Sequence, residues 1–218
     1  MRMDAIIFDL DGVLVDSMPT HVRAWQAAFE SVAGVKVTER EIYLLEGMRG
    51  MDLIMKIFGQ KGKDNSLAKE VHDEKNRVFR SIRRSDPFDG AAKMLDLITF
   101  PKAVVSGSAK ADVEAILGEA FGKSKFSTII TADDAKVGKP DPTVFLEATR
   151  QLKVSAKKTV VVENAPLGAE AARRAGMGCY IALNNTPLLR DDFRSTIQED
   201  RIFRTTSSLA DILVGMCA

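Results

Sequence analysis

The sequence predicts an α/β protein with a doubly wound, Rossmann-like parallel sheet and a small α-helical domain inserted after the first strand. Three observations lead to this prediction. Short apolar runs alternate with segments of helical periodicity, a single long stretch contains helical patterns only, and polar residues follow several of the apolar runs. Apolar runs without polar alternation are typical of strands buried on both faces of a parallel sheet.

Six segments are predicted to be strands. They are 5–8, 102–105, 126–131, 159–162, 179–183 and a less apolar run at 201–204. Helical periodicity lies between them at 90–98, 109–117, 142–152 and 166–175. Parallel strands need a crossover connection of this kind, so the alternation indicates a parallel sheet with helices on its faces.

The alternation fails between about residues 17 and 85. Only helical patterns occur there, at 19–32, 39–46, 51–58 and 67–82, with glycines between them at 47, 50, 59 and 62. We therefore expect a catalytic α/β core domain formed by residues 1–17 and 85–218, and a helical cap domain formed by residues 18–84.

Composition excludes several classes of function. A net charge of +1 over 218 residues gives no global field for nucleic acid or an anionic membrane. The two cysteines lie far apart and there are only two histidines, which argues against a zinc site of His and Cys ligands. The first residues do not fit an export signal, and no apolar run reaches the length of a membrane span. We expect a reduced, soluble, cytoplasmic protein and, by default for a capped domain of this size, a monomer.

Polar groups follow the predicted strands at the points where these end. They are Asp9 and Asp11 after the first strand, Ser106 and Gly107 after the second, Lys139 in the loop after the third, and Glu163 and Asn164 after the fourth. Ligands of open parallel sheets bind at the carboxyl ends of the strands. We therefore expect these residues to converge on one edge of the sheet.

The residue types favour phosphoryl transfer. Asp9 and Asp11 are spaced i, i+2, so both can face one substrate, and they stay ionised only beside compensating positive charge. Mg²⁺ supplies that charge and prefers oxygen ligands, which Glu163 and Asn164 can complete. Lys139 would neutralise phosphate oxygens. A carboxylate nucleophile splits hydrolysis into two steps, and Asp11 could protonate the leaving oxygen and then activate water.

Some of these residues have simpler explanations. The Ser106 hydroxyl and the amides of Ser106 and Gly107 can donate to phosphate, but Ser106 also precedes a helix and fits an N-cap. Asn164 could be a turn residue only. Glu163 has no such alternative, because an unpaired acid at a buried strand end is costly, and this favours a metal ligand.

Four segments together resemble the motifs of the haloacid dehalogenase superfamily. They are 9–17 (DLDGVLVDS), Ser106, 138–142 (GKPDP) and 163–168 (ENAPLG). The helical insertion resembles that of the subgroup with β-phosphoglucomutase and sugar-phosphate or phosphoglycolate phosphatases. The resemblance implies a mobile cap, magnesium, Asp9 as nucleophile, Asp11 as acid and base, and phosphate contacts from Ser106 and Lys139. The family's fourth motif usually ends in aspartate, so Asn164 removes one formal charge from the metal site.

The cap residues bear on the choice between phosphatase and mutase. His21 and the Lys75-Asn76 pair resemble substrate-contacting residues of the mutase, although an exposed histidine and a charged helix face would explain them as well. Arg49 stands one place earlier than the mutase arginine, and Ala109 stands where the mutase has a lysine. These two departures favour a phosphatase.

We therefore expect a magnesium-dependent phosphatase that acts on a small phosphorylated metabolite such as a sugar phosphate or phosphoglycolate. A β-phosphoglucomutase is the alternative. A non-catalytic protein that binds a phosphorylated metabolite is a third possibility, prompted by Asn164. We expect no partner other than the small phosphorylated substrate.

Overall fold

The computed structural model describes residues 3–122, 125–184 and 186–216. Cys217, one of the two cysteines, lies outside these residues, and Cys179 is a buried free thiol. Within the described part of the chain, no helix is both long enough and apolar enough to cross a membrane.

The centre of the molecule is a six-stranded parallel sheet, which confirms the predicted fold class. Its strands are β1 (Ala5–Phe8), β2 (Lys102–Val105), β3 (Thr128–Ile130), β4 (Thr159–Glu163), β5 (Gly178–Ala182) and β6 (Ile202–Phe203). The order across the sheet is β3-β2-β1-β4-β5-β6, and every neighbouring pair is parallel. The order reverses between β1 and β4, and such a switch point opens a crevice at the carboxyl ends of the strands.

Helices cover both faces of the sheet. They are α5 (Ala91–Leu97), α6 (Lys110–Phe121), α7 (Thr143–Leu152), α8 (Pro166–Arg174) and α9 (Thr206–Gly215), with short 3₁₀ turns at Ala156–Lys158, Arg190–Phe193 and Glu199–Arg201. Side chains of β1 alternate between two apolar clusters: Ile7 belongs to one, and Ile6 and Phe8 to the other. All three are fully buried, as both faces of a covered parallel sheet require.

Four helices lie between β1 and α5. They are α1 (Met18–Ala33), α2 (Glu39–Leu44), α3 (Gly50–Lys61) and α4 (Ala68–Ile82). We call them the cap helices. Helix α4 packs against α1 and α3, and α2 packs against α1. Their contacts include edge-to-face packing of Phe29 on Phe58, 5.8 Å between ring centroids. The division of the chain into a core and a cap domain stays a prediction.

Helix α9 was missed by the sequence analysis. Thr205 caps its first turn by accepting from the Ser208 amide, and Leu209 and Leu213 are fully buried. A serine at the third helical position is a weaker start signal than the usual Glu or Gln, which explains the omission. The third strand is also shorter than predicted, because only residues 128–130 pair with β2.

Helix α9 braces the loop that follows β1. The Asn184 amide donates to the Gly12 carbonyl at 2.9 Å and to the Thr206 hydroxyl at 2.7 Å, and that hydroxyl donates to the Val13 carbonyl at 2.7 Å. Asn184 and Thr206 are buried. Buried hydrogen bonds of this kind are costly to break, so they fix the backbone next to the two aspartates of the first motif.

Candidate active site

The carboxyl ends of the central strands lie level with one another. Phe8 on β1 is in register with Val104 on β2 and with Val162 on β4. One residue further on, the Asp9 amide donates to the Val162 carbonyl at 2.9 Å, and the Ser106 amide donates to the Ile130 carbonyl at 3.0 Å. The polar residues that follow these strands therefore start from the same edge of the sheet.

Lys139 joins three of the strand ends. Its ammonium contacts the Asp9 carboxylate, lies 2.5 Å from Glu163 Oε1 and donates to the Val105 carbonyl at 3.2 Å. The side chain is 3% exposed, and burial alone would lower its pKa. Asp9 and Glu163 outweigh burial and raise the Lys139 pKa above its ordinary value. The lysine is thus a fixed positive charge beside both acids.

Asp9 is a buried carboxylate, and its surroundings act on its pKa in opposite directions. Burial raises its pKa well above the ordinary value, Lys139 opposes that rise, and the nearby charges of Glu163 and Asp11 add to it. A buried carboxylate stays ionised only when positive charge compensates it. The ionised form of Asp9 therefore depends on Lys139 and on any further cation at this edge.

Asp11 is held by four side chains. Its carboxylate accepts from Ser17 at 2.5 Å, Ser106 at 3.2 Å and Ser108 at 3.1 Å, and His21 Nε2 lies 3.2 Å away. Burial disfavours its charged form, but the His21 ring and the hydroxyls of Ser17 and Ser108 together lower its pKa below the ordinary range. Asp11 is therefore oriented toward the serines and toward helix α1.

The loop after β2 meets the cap through glycines. A Cβ atom at Gly107 would lie 3.0 Å from the Met48 carbonyl oxygen, and one at Gly138 would lie 2.9 Å from the Arg49 amide. The Arg49 guanidinium also donates to the Lys136 carbonyl. Residues 47–49, which we call the cap loop, thus lie directly on the loops that carry Ser106 and Lys139.

Glu163 is the last residue of β4 and Asn164 follows it; both are almost fully buried. The Asn164 amide donates to both carboxylate oxygens of Glu46 at 2.9 Å. Within the described residues Asn164 Oδ1 has no hydrogen-bond partner, whereas Glu163 Oε1 is paired with the Lys139 ammonium at 2.5 Å. A buried acceptor without a partner is uncommon in proteins.

These oxygens fit a magnesium ion by their chemistry. Mg²⁺ prefers carboxylate and carbonyl oxygens, which are the donor types found here. No three His, Cys, Asp or Glu side chains in the described ranges are already grouped to hold a metal ion. Asp9 and Glu163 each contact the Lys139 ammonium instead. The fit therefore rests on donor type and on the unsatisfied Asn164 Oδ1.

A cavity of about 210 Å³ separates the cap helices from the edge of the sheet. Among the predicted site residues, those that line it are Asp9, Asp11, His21, Arg49, Lys75 and Gly107. Ser106 and Lys139 line a smaller adjoining pocket that shares Gly107 and Arg49 with the first. Glu163 and Asn164 line neither pocket and join the site through their contacts with Lys139 and Glu46.

Lys75 is a buried lysine with aromatic neighbours in the cavity wall. Its ammonium lies 5.1 Å from the centre of the Trp25 ring and 4.7 Å from that of Phe79, and within the described residues it has no ion-pair partner. Burial lowers its pKa to about 8. His21 stacks on Phe79, with 4.1 Å between ring centroids, and burial lowers its pKa as well. Both side chains are buried rather than exposed on a helix surface.

The structure brings all the predicted site residues together, and their chemical roles stay predictions. Sequence analysis missed Glu46, which stood at the end of a predicted helix without any motif. It also left Ser108 without a role. The signal that could have led to Glu46 is Asn164, because a missing carboxylate in the fourth motif invites a search for a replacement elsewhere.

Comparison with known proteins gives a consistent result. The family model described as "Haloacid dehalogenase-like hydrolase" matches residues 6–182. The chain is 31% identical over 181 residues to a phosphorylated carbohydrates phosphatase of Thermotoga maritima, covering 80% of this chain and 82% of that protein. It is 27% identical over 216 residues to a β-phosphoglucomutase of Mycobacterium bovis, covering 85% and 82%.

A solved structure shares the fold. A hydrolase from Pseudomonas syringae superposes with a TM-score of 0.88 at 21% identity, covering 99% of this chain and 100% of that one. At this identity the likeness concerns the fold alone.

Two helical glycines allow a matched test of how Glu163 is positioned. A Cβ atom at Gly168 in α8 would lie 2.1 Å from the Glu163 carboxyl group, whereas one at Gly118 in α6 meets nothing within 4 Å. We expect Gly118→Ala to raise the free energy of unfolding by about 0.5–1 kcal/mol, because alanine is the better helix former. Gly168→Ala should instead lower it by about 1–3 kcal/mol through overpacking.

Urea denaturation of the two variants and the wild type measures this difference. A Gly168→Ala variant that gains as much stability as Gly118→Ala would show that the Glu163 carboxylate is not held against α8.

Proposed function

The chain belongs to the haloacid dehalogenase-like hydrolase family and is an enzyme of that family, and from this premise we propose that it is a magnesium-dependent phosphatase. It hydrolyses a small phosphorylated metabolite through an aspartyl-phosphate on Asp9. The observation that carries the proposal is the buried contact of Lys139 with both Asp9 and Glu163 at the strand ends. A fixed cation beside a carboxylate is suited to bringing a phosphoryl group against a nucleophile of like charge.

Asp9 carries the first step. One of its carboxylate oxygens attacks phosphorus, an aspartyl-phosphate bond forms, and the bond from phosphorus to the ester oxygen breaks. Lys139 offsets charge on the phosphoryl oxygens, and the Ser106 hydroxyl and Gly107 amide donate hydrogen bonds to them. Asp9 lines the cavity between the cap helices and the sheet, where the substrate is bound.

Asp11 handles the protons. The leaving oxygen takes a proton from Asp11, and in the second step Asp11 removes one from the water that attacks the aspartyl-phosphate, which restores Asp9 and releases inorganic phosphate. The lowered pKa of Asp11 means that the carboxylate is ionised, and so able to accept a proton, at the start of the second step. The proton that Asp11 takes from the water is the one it gives to the leaving oxygen in the next turnover, and His21, 3.2 Å away, helps to orient the carboxylate.

Magnesium, when bound, supplies positive charge that offsets Asp9 and the phosphoryl oxygens. The residues that we propose to hold it are Asp9, Asp11, Glu163 and Asn164. The buried Asn164 Oδ1, which has no hydrogen-bond partner among the described residues, supports this assignment.

The cavity supports a small substrate with a polar body. Its wall combines the cations of Arg49 and Lys75 with the apolar side chains of Met18, Trp25 and Met51. A sugar phosphate or a phosphoglycolate-like acid matches this mixture, and the Thermotoga maritima relative is named for phosphorylated carbohydrates. A cytoplasmic location and a monomeric state are part of the same proposal.

The nucleophile is tested by replacing it without changing its shape. Magnesium-dependent phosphate release from p-nitrophenyl phosphate should fall about 10³-fold or more in Asp9→Asn, because the amide cannot form the covalent intermediate. Asp16→Asn is the matched control, since Asp16 is an exposed residue of the same motif and should keep wild-type activity.

Near-normal hydrolysis by a folded Asp9→Asn variant would exclude the mechanism. A wild-type protein that releases no phosphate from this substrate or from a panel of phosphorylated metabolites would favour the third possibility, a non-catalytic binding protein.

A β-phosphoglucomutase is the alternative function. It is favoured by the 3.2 Å contact of His21 with Asp11 and by the burial of Lys75 in the cavity wall. Against it stand Ala109, where the mutase has a lysine, and the earlier position of Arg49. We expect β-glucose 1-phosphate to yield inorganic phosphate if it reacts at all. Formation of glucose 6-phosphate, measured with a coupled dehydrogenase, would contradict the phosphatase and establish the mutase.

A further inference from the structure

The cap contributes a buried acid to the proposed metal site. Glu46 follows helix α2, is 9% exposed and lines the same cavity as Asp9 and Asp11. Both of its carboxylate oxygens accept from the Asn164 amide at 2.9 Å. This hydrogen bond joins the cap directly to the residue at which the fourth motif has lost its carboxylate.

The positive charge at this edge does not reach Glu46. Lys139 pairs with Asp9 and Glu163, and His21 pairs with Asp11. Over residues 3–122, 125–184 and 186–216, no lysine, arginine or histidine forms an ion pair with Glu46. A buried carboxylate supported only by a neutral amide is costly: it stays ionised only beside a cation and otherwise takes up a proton.

The side chain of Asn164 gives a second reason to expect a cation here. Its Oδ1 is fully buried and finds no hydrogen-bond partner in the described part of the chain, although its amide nitrogen is satisfied by Glu46. A Cβ atom at Gly12 would lie 2.1 Å from Asn164 Nδ2, so the side chain is packed tightly against the loop that carries the two aspartates. Asn164 thus carries a free carbonyl oxygen on the same amide group whose nitrogen holds the Glu46 carboxylate.

We propose that Glu46 supplies from the cap the negative charge that Asn164 cannot, and so completes the site for the divalent cation. The inference rests on the proposed function, because it concerns the cation of that same site. It has a consequence for the cap: the residue that completes the cation site precedes the cap loop, so cation binding holds that loop on the core. If all the acids of the site came from the strand ends of the sheet, cation binding would not affect the position of the cap loop.

The test measures magnesium binding to the full chain by isothermal titration calorimetry after treatment with a chelator. We expect Glu46→Gln to weaken magnesium affinity about 10-fold or more, as loss of a residue that supports a metal site commonly does. Asn164→Asp in the same chain returns the charge to the core, so the double variant should recover the wild-type affinity within about 2-fold. Glu39→Gln, an exposed acid on α2, is the matched control and should bind as the wild type does.

A second variant keeps the proposal testable if Glu46→Gln does not fold. Asn164→Asp alone places two carboxylates side by side, so magnesium should raise its Tm more than it raises that of the wild type. An equal rise in the two proteins would overturn the proposal. So would a folded Glu46→Gln variant with wild-type affinity, or a loss of affinity that Asn164→Asp does not repair.

The readout separates this inference from the proposed function. Heats of magnesium binding do not depend on turnover, so an inactive protein that shows the Glu46 effect would leave the inference standing and defeat the phosphatase. An active, magnesium-dependent phosphatase without that effect would defeat the inference alone.

Discussion

The rest of the site depends on the ion pairs that Lys139 makes with Asp9 and Glu163. Each acid follows a different strand, and the lysine comes from the loop after a third one. All three side chains are almost fully buried, where an uncompensated charge would cost several kcal/mol. The sheet topology makes the meeting possible, because β1 and β4 are neighbours at the switch point and their ends are in register. The fold thus brings negative charge together at the carboxyl edge of the sheet, and the Lys139 ammonium offsets it.

Most of this edge could be predicted from the sequence. Uninterrupted apolar runs identify buried strands, and polar residues that end such runs must lie at the carboxyl edge of a parallel sheet. Asp9, Lys139 and Glu163 could be expected near one another for that reason alone. Glu46 could not be located in this way: Asn164 prompts a search for another acid, but which acid reaches it depends on how the cap helices pack, and that leaves no periodic signal. Helix α9 was missed for a different reason, since its capping residue Thr205 is paired with a serine at the third helical position instead of Glu or Gln.

The cap adds a second level of organisation. Its loop at 47–49 lies on Gly107 and Gly138, where any side chain would intrude, so these glycines allow the cap to reach the residues proposed to bind phosphate. Lys75 and His21 bring polar groups into an otherwise apolar wall, and Phe79 packs against both. Asn164 fits the same picture, because its amide donates to the acid that the cap provides, whereas an aspartate there would repel that acid.

The central claim is that Lys139 compensates two buried carboxylates, and the free energy of unfolding of Lys139→Met tests it most directly. The account predicts a loss of about 3–5 kcal/mol, because the variant leaves two buried acids without their cation. Most of that loss should disappear when Asp9→Asn and Glu163→Gln are added to the same chain. Lys75→Met is the control: Lys75 is also buried but has no ion-pair partner within the described residues, so its loss should cost little. A Lys139→Met variant as stable as the wild type, or a triple variant no more stable than Lys139→Met, would contradict the account.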